Sequence, residues 1–306
     1  MKLKKIIFSL AFLAAPIWVA AQSSALPILQ MNSDARSVAM GGNYYGQSRG
    51  NYLYTNPTSL LYNNQKFQVS LSGMMRPDLD KFYYGQFNAA YRLGGHGLYA
   101  GFRYWGGPEF KSEFASSKKA ILPNEWSVDA GYAFKINNHF SASVSGSFLQ
   151  STIKSSATTF AFNASAFYRN DFGMGSYVVG ISGGNFGPEL DFGKKAGSFP
   201  LPAYAGGGGE CQFLFSSEHR VNTSLSARYF FFPTDSQMLL ADAGAEYTYK
   251  DILSARIGYG FGSKENSHIA MGIGTSFAGV TLDASYQMGL GNNPVKAALL
   301  TLGFGL

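Results

Sequence analysis

The chain has 306 residues and carries 24 basic against 18 acidic side chains, a net charge of +6. Charged residues make up 14% and aromatics 16%, whereas ordinary soluble domains carry roughly 25% charge. Three of the basic residues lie in an N-terminal leader, so the balance behind it is 21 − 18 = +3, too weak to argue for a nucleic-acid partner. No apolar run of about 20 residues follows the leader, which excludes a helical membrane protein.

The leader is predicted over residues 1–21. Lys2, Lys4 and Lys5 form a positive start, Ile6 to Val19 is apolar, and Val19-Ala20-Ala21 has the small residues of a cleavage site. The mature chain is expected to begin at Gln22. No cysteine stands at the cleavage point for a lipid anchor.

Residues 34–60 fit neither a helix nor a strand. They carry Asp34-Ala35-Arg36, Met40-Gly41-Gly42 and Asn56-Pro57-Thr58, with apolar residues too sparse for a periodic face. Gly41 and Gly42 allow backbone angles closed to other residues. Pro57 fixes its own φ and biases Asn56 away from the α region. Two readings are open: an ordinary N-terminal arm with two turns, or a plug folded into the mouth of whatever the later residues build.

From Lys66 onward the pattern has a period of two. Phe140, Ala142, Val144, Gly146 and Phe148 alternate with Ser141, Ser143, Ser145 and Ser147. Val280, Leu282, Ala284, Tyr286 and Met288 alternate with Thr281, Asp283, Ser285 and Gln287. Such a period puts one set on each face of a strand. One face is greasy and the other small and polar, with little of the Lys and Glu that coat a soluble sandwich. That combination predicts an all-β transmembrane barrel with lipid outside and a polar lumen.

Fourteen strands are predicted: 66–76, 80–92, 97–106, 125–135, 138–150, 157–169, 175–183, 201–214, 219–232, 237–250, 252–262, 267–278, 279–290 and 295–305. An even count suits a bacterial outer-membrane barrel with both termini in the periplasm. The links after even strands are all short, and the two longest, 107–124 and 184–200, follow odd strands. Domain organisation is thus a leader (1–21), an N-terminal hatch or plug segment (22–65) and an antiparallel barrel (66–306).

The three motifs between Asp34 and Thr58 resemble the N-terminal signature of FadL-like outer-membrane proteins, and within them the PorV/PorQ family. Thr58 stands where that signature usually has Ala. The resemblance implies a fourteen-stranded barrel with a hatch in its lumen, to which Asp34, Arg36, Met40, Gly41, Gly42, Asn56 and Pro57 would belong. It also implies two possible functions. PorV-like proteins serve type IX protein secretion and surface attachment, so secretion or attachment proteins are expected partners. FadL-like proteins carry hydrophobic small molecules, such as long-chain fatty acids, across the outer membrane.

The chemistry of single residues adds constraints. Asp129, Glu210, Arg228, Asp242, Glu246, Arg256 and Asp283 fall inside strand patterns. Facing lipid at mid-membrane would cost about 2–4 kcal/mol for an Arg, so all seven are expected to face the lumen. There they either pair with each other and with hatch residues such as Arg36, the favoured reading, or line a substrate path. Tyr104, Trp105, Trp126 and Tyr229, near strand ends, read as an interfacial girdle. His96, His139, His219 and His268 fall in turns or at strand starts, with neither a triad nor metal-ligand spacing. Gly206 to Gly209 lacks the Lys-Ser/Thr of a phosphate loop and reads as a kink or a close approach to the hatch. Cys211 has no disulfide partner. No enzyme, cofactor or metal is expected. The predicted surroundings are outer-membrane lipid, proteins of secretion, and a possible hydrophobic ligand.

Overall fold

The computed structural model describes residues 26–32, 34–47, 50–79, 81–107, 110–111, 120–194, 197–234, 237–262, 267–291, 293 and 295–306. The leader prediction lies outside the described residues. Fourteen strands form one closed antiparallel barrel. In chain order they are β1 Phe67–Met75, β2 Tyr83–Leu93, β3 His96–Gly106, β4 Asn124–Lys135, β5 Phe140–Thr152, β6 Ser156–Phe172 and β7 Gly175–Phe186, then β8 Tyr204–Leu214, β9 His219–Phe230, β10 Met238–Tyr249, β11 Leu253–Phe261, β12 His268–Phe277, β13 Val280–Gly289 and β14 Lys296–Gly305. Each pairs with its sequence neighbours, and β1 closes on β14 from Gln68↔Gly305 to Met75↔Ala298. Closure leaves no unpaired edge, the condition for a sheet to cross a bilayer.

The alternation sets the two faces. In β11, Leu253, Ala255, Ile257, Tyr259 and Phe261 point out, while Ser254, Arg256, Gly258 and Gly260 point in. Leu71, Ile181, Leu225, Ile273 and Leu300 are among the large apolar side chains exposed on the outer wall. Links after even strands are tight. Ala278 and Gly279 both adopt positive φ, 50° and 82°, and join β12 to β13 in the two-residue turn that matches strand twist. Links after odd strands are longer, apart from the three-residue turn 153–155 after β5. Within two of them, short ladders pair Phe110–Lys111 with Ala120–Ile121 and Leu190–Asp191 with Ser198–Phe199.

The described residues of the N-terminal segment pack against the inward face of the barrel. The segment holds a 3-10 turn at Pro27–Leu29, a helical turn α1 at Ala35–Ala39 and a 3-10 turn at Pro57–Tyr62. Each is packed on the inner wall. Leu26 and Ile28 join a cluster with Tyr84, Trp105 and Leu149. Ala35 and Val38 meet Ala270, Ala297 and Leu299. Tyr52, Leu53, Leu60 and Leu61 meet Ala90, Tyr99 and Ala133. Trp105 therefore departs from the girdle expectation: its strand parity, shared with Arg103, turns it inward. Tyr104 is exposed on the outer wall as expected.

Candidate functional site

Two of the sequence motifs act first as caps. Asp34 precedes α1, and its carboxylate accepts from the Ser37 backbone N–H at 3.0 Å and from the Ser37 hydroxyl at 2.7 Å. Asn56 precedes Pro57, whose missing N–H is no loss at a helix start. The Asn56 side chain accepts from the Thr58 N–H at 3.0 Å and from its hydroxyl at 2.7 Å, and its amide donates to the Gly46 carbonyl at 3.1 Å. The hydroxyl bond is one that Ala in place of Thr58 would lack. The Pro57 carbonyl accepts from Tyr99 on β3. These bonds fix where the segment turns inside the lumen.

The helical turn then aims Arg36 at the wall. Its Nε and Nη2 donate to the two oxygens of Glu246, both at 3.0 Å, and Nη2 also reaches Glu210 at 3.1 Å. Arg256 donates to Glu246 at 2.5 Å and to Asp283 at 2.6 Å, so one network joins the segment to β8, β10, β11 and β13. Burial works against the charge on Arg36, but the attraction of Glu210 and Glu246 outweighs it and holds the pKa well above the ordinary arginine value. The guanidinium is therefore a permanent cation at this junction.

The turn that follows is held by contact of backbone on backbone. A Cβ at Gly258 would lie 2.0 Å from Gly41 N, and one at Gly244 would lie 2.4 Å from the Met40 carbonyl oxygen. Gly41 itself has φ +86°, which glycine adopts freely. The Met40-Gly41-Gly42 turn thus lies directly on β10 and β11, with Gly42 against the Asp242 carboxylate. Farther along, the Arg228 guanidinium stacks 3.6 Å above the Tyr44 ring, and Tyr45 bonds to Ser182 at 2.7 Å. Burial pushes the Tyr45 hydroxyl up to about 12. Gly206 lies against Tyr45, a close approach of the glycine run to the segment.

A second polar network lies on the opposite wall. Tyr54 donates to Asp129 at 2.6 Å, and Arg103 pairs with Asp129 at 2.9 Å while stacking 4.6 Å from the Tyr54 ring. Glu125 accepts from the Ile28 backbone N–H at 3.0 Å. Arg103 and Glu125 escape the sequence reading, although parity marks them: Arg103 alternates with Phe102 and Tyr104, and Glu125 shares a face with Ser127 and Asp129. All seven candidate lumen charges are buried on the inner face. A cavity of about 90 Å³ remains between the segment and β5 to β7, with Ser143, Ser145, Asn163, Ser165, Tyr45 and Tyr204 in its lining.

A family model, "Type IX secretion system protein PorV", matches residues 19–237, well over half of the chain. The chain belongs to the PorV family. No curated protein matches it. Among solved structures the barrel is similar to the Pseudomonas putida toluene transporter TodX, with TM-score 0.61 and 12% identity over 87% of this chain and 95% of that one. It is also similar to the Ralstonia pickettii toluene transporter TbuX, with TM-score 0.61 and 12% identity over 89% and 98%. The CymD monoaromatic hydrocarbon channel matches with TM-score 0.60 and 11% identity over 89% and 96%. At these identities the likeness is one of fold: a FadL-like, outer-membrane β-barrel of the PorV family.

Proposed function

We propose that this protein is a plugged outer-membrane barrel that serves type IX secretion or surface attachment as a docking component, with residues 22–65 as the plug. The family match supports the secretion role. The observation that carries the non-conduit reading is the polarity of the interior. A path for hydrophobic solutes needs continuous apolar lining, whereas Arg36, Tyr44, Tyr54 and Ile28 each engage a charged wall residue. The cavity left beside them is small and rich in serine. The role is not enzymatic. Lipid surrounds the outer wall, and proteins dock at the outer links 107–124 and 184–200. Of the apolar residues in these links, Leu122 and Phe199 are exposed, Phe110 and Ile121 fall in a short ladder, and Phe114 lies outside the described residues.

A second reading is FadL-like passage of a hydrophobic ligand through the wall. It is favoured by the register shift between Phe162 and Ala164, where Asn185 adopts φ 58° beside the 90 Å³ cavity. Bulges are over-represented at barrel rims and next to active sites, where they break the ladder locally. The deciding experiment is purification from the native outer membrane in mild detergent, followed by intact-complex mass spectrometry. A stoichiometric protein partner supports the docking role. A lone barrel with a lipophilic adduct, displaced by added fatty acid, overturns it in favour of passage.

A further inference from the structure

The opposite mouth holds a larger cavity, about 270 Å³, that the docking role does not use. It lies where the even links turn, the end expected to face the periplasm because its turns are short. Arg169 approaches from the end of β6, Gln212 and Arg220 flank the β8–β9 turn, and Tyr62 to Asn64 lead into β1. Three guanidiniums line it, together with amides and hydroxyls, and no carboxylate does so among the described residues.

Not all of that positive charge is committed. Arg36 is held by Glu210 and Glu246. Arg220 pairs with Asp251 at 2.5 Å and Arg169 with Asp171 at 3.5 Å, but those carboxylate side chains are 70% and 76% exposed, so water screens both pairs. The Arg220 Nε and the Tyr62 hydroxyl are buried with no hydrogen-bond partner among the described residues. Two cations also crowd the Tyr62 ring, Lys135 at 4.3 Å and Arg169 at 5.4 Å. Water can satisfy the two idle donors but adds no negative charge to the two screened pairs. An oxyanion does both, through charge-assisted bonds that are shorter and stronger than neutral ones.

We propose that this inner vestibule binds a small oxyanion, a carboxylate or phosphate group, presented from the periplasmic side. The volume suits it: at ~30 Å³ per water, about 270 Å³ is the space of about nine waters, enough for a phosphate or a small carboxylate that keeps part of its hydration. The site is independent of the outer links, so it stands or falls separately from the docking role.

The test is isothermal titration of the purified full-length barrel in detergent at low salt, with citrate and inorganic phosphate in turn and chloride at matched ionic strength as control. Saturable heat with either anion supports the site, and preference for one assigns carboxylate or phosphate as the natural group. The double variant R169Q/R220Q is expected to weaken binding at least about tenfold, the loss of a charge-assisted bond. The milder Y62F, which removes only the idle hydroxyl, is expected to weaken it about fivefold. Heat-modifiable gel mobility checks that each variant is folded. The proposal is overturned by the absence of saturable heat up to about 10 mM of both anions, or by binding that neither variant changes.

Discussion

Replacing Arg36 with Met should loosen the plug while leaving the barrel intact. Met keeps an unbranched stem of similar reach and removes the guanidinium donors. The lost bonds are two to Glu246 at 3.0 Å, those to Glu210 at 3.1 and 3.2 Å, and one to the Gln47 carbonyl at 2.5 Å. Removing one partner of a buried ion pair costs about 3–5 kcal/mol, because the other charge stays desolvated. The lower end applies here, since Glu246 keeps Arg256 at 2.5 Å and Asn222 at 2.6 Å. About 3 kcal/mol corresponds to roughly a hundredfold shift toward the undocked plug. Planar-bilayer recording should show open events in R36M that the parent lacks, with unchanged heat-modifiable mobility. The companion R36M/E210Q should recover part of the loss, because a neutral amide costs less to leave buried, and the shortfall from additivity measures the coupling. A closed R36M barrel, or purely additive effects, would refute the role given to this network.

Five further substitutions probe the interior and the wall around it. Gly258→Val should raise conductance without abolishing assembly, because its Cβ would meet the Gly41 backbone at 2.0 Å, whereas Gly73→Ala, with its nearest neighbour atom at 3.8 Å, should be silent in the same recording. With residues 1–21 absent, Trp105 and Trp126 are the tryptophans that remain. Brominated lipid should quench the emission of W105F, whose remaining tryptophan is on the outer wall, and spare W126F, whose remaining tryptophan is packed inside; equal quenching would contradict the inward turn of Trp105. Thr58→Ala removes the 2.7 Å bond to Asn56 and should cost about 1 kcal/mol, read as a lower urea midpoint at constant slope.

The barrel was legible in the sequence because its information is local. A period of two over about ten residues assigns both faces of a strand, and turn chemistry closes each hairpin, so all fourteen predicted segments overlap the fourteen strands. Parity also carries the inward direction of Asp129, Glu210, Asp242 and Arg256. The same parity turns Arg103, Glu125 and Trp105 inward, although Trp105 sits near a strand end where a girdle residue is expected. The route of the segment 26–65 was not legible. Its bonds join residues 97, 174, 210 and 266 positions apart, and no local pattern encodes a partner at that distance.

The wall charges bear on what the lumen is for. A substrate path would aim charges at open volume, with partners supplied by the solute. Here Asp129 meets Tyr54, Arg228 meets Tyr44, Glu125 meets the Ile28 N–H, and Glu210 and Glu246 meet Arg36. Each wall group on this side of the ledger is matched by one from the N-terminal segment, from four different points along it. The small residues follow the same logic: Gly244 and Gly258 are open on the inner face where Met40 and Gly41 need room. Wall and segment are complementary in both charge and shape, which favours a plug that stays in place over a pore lined for a travelling solute. The charges whose carboxylate partners are most exposed lie elsewhere, in Arg169 and Arg220 at the inner mouth, beside the idle Arg220 Nε and Tyr62 hydroxyl, and that is where a solute from the periplasm would find donors.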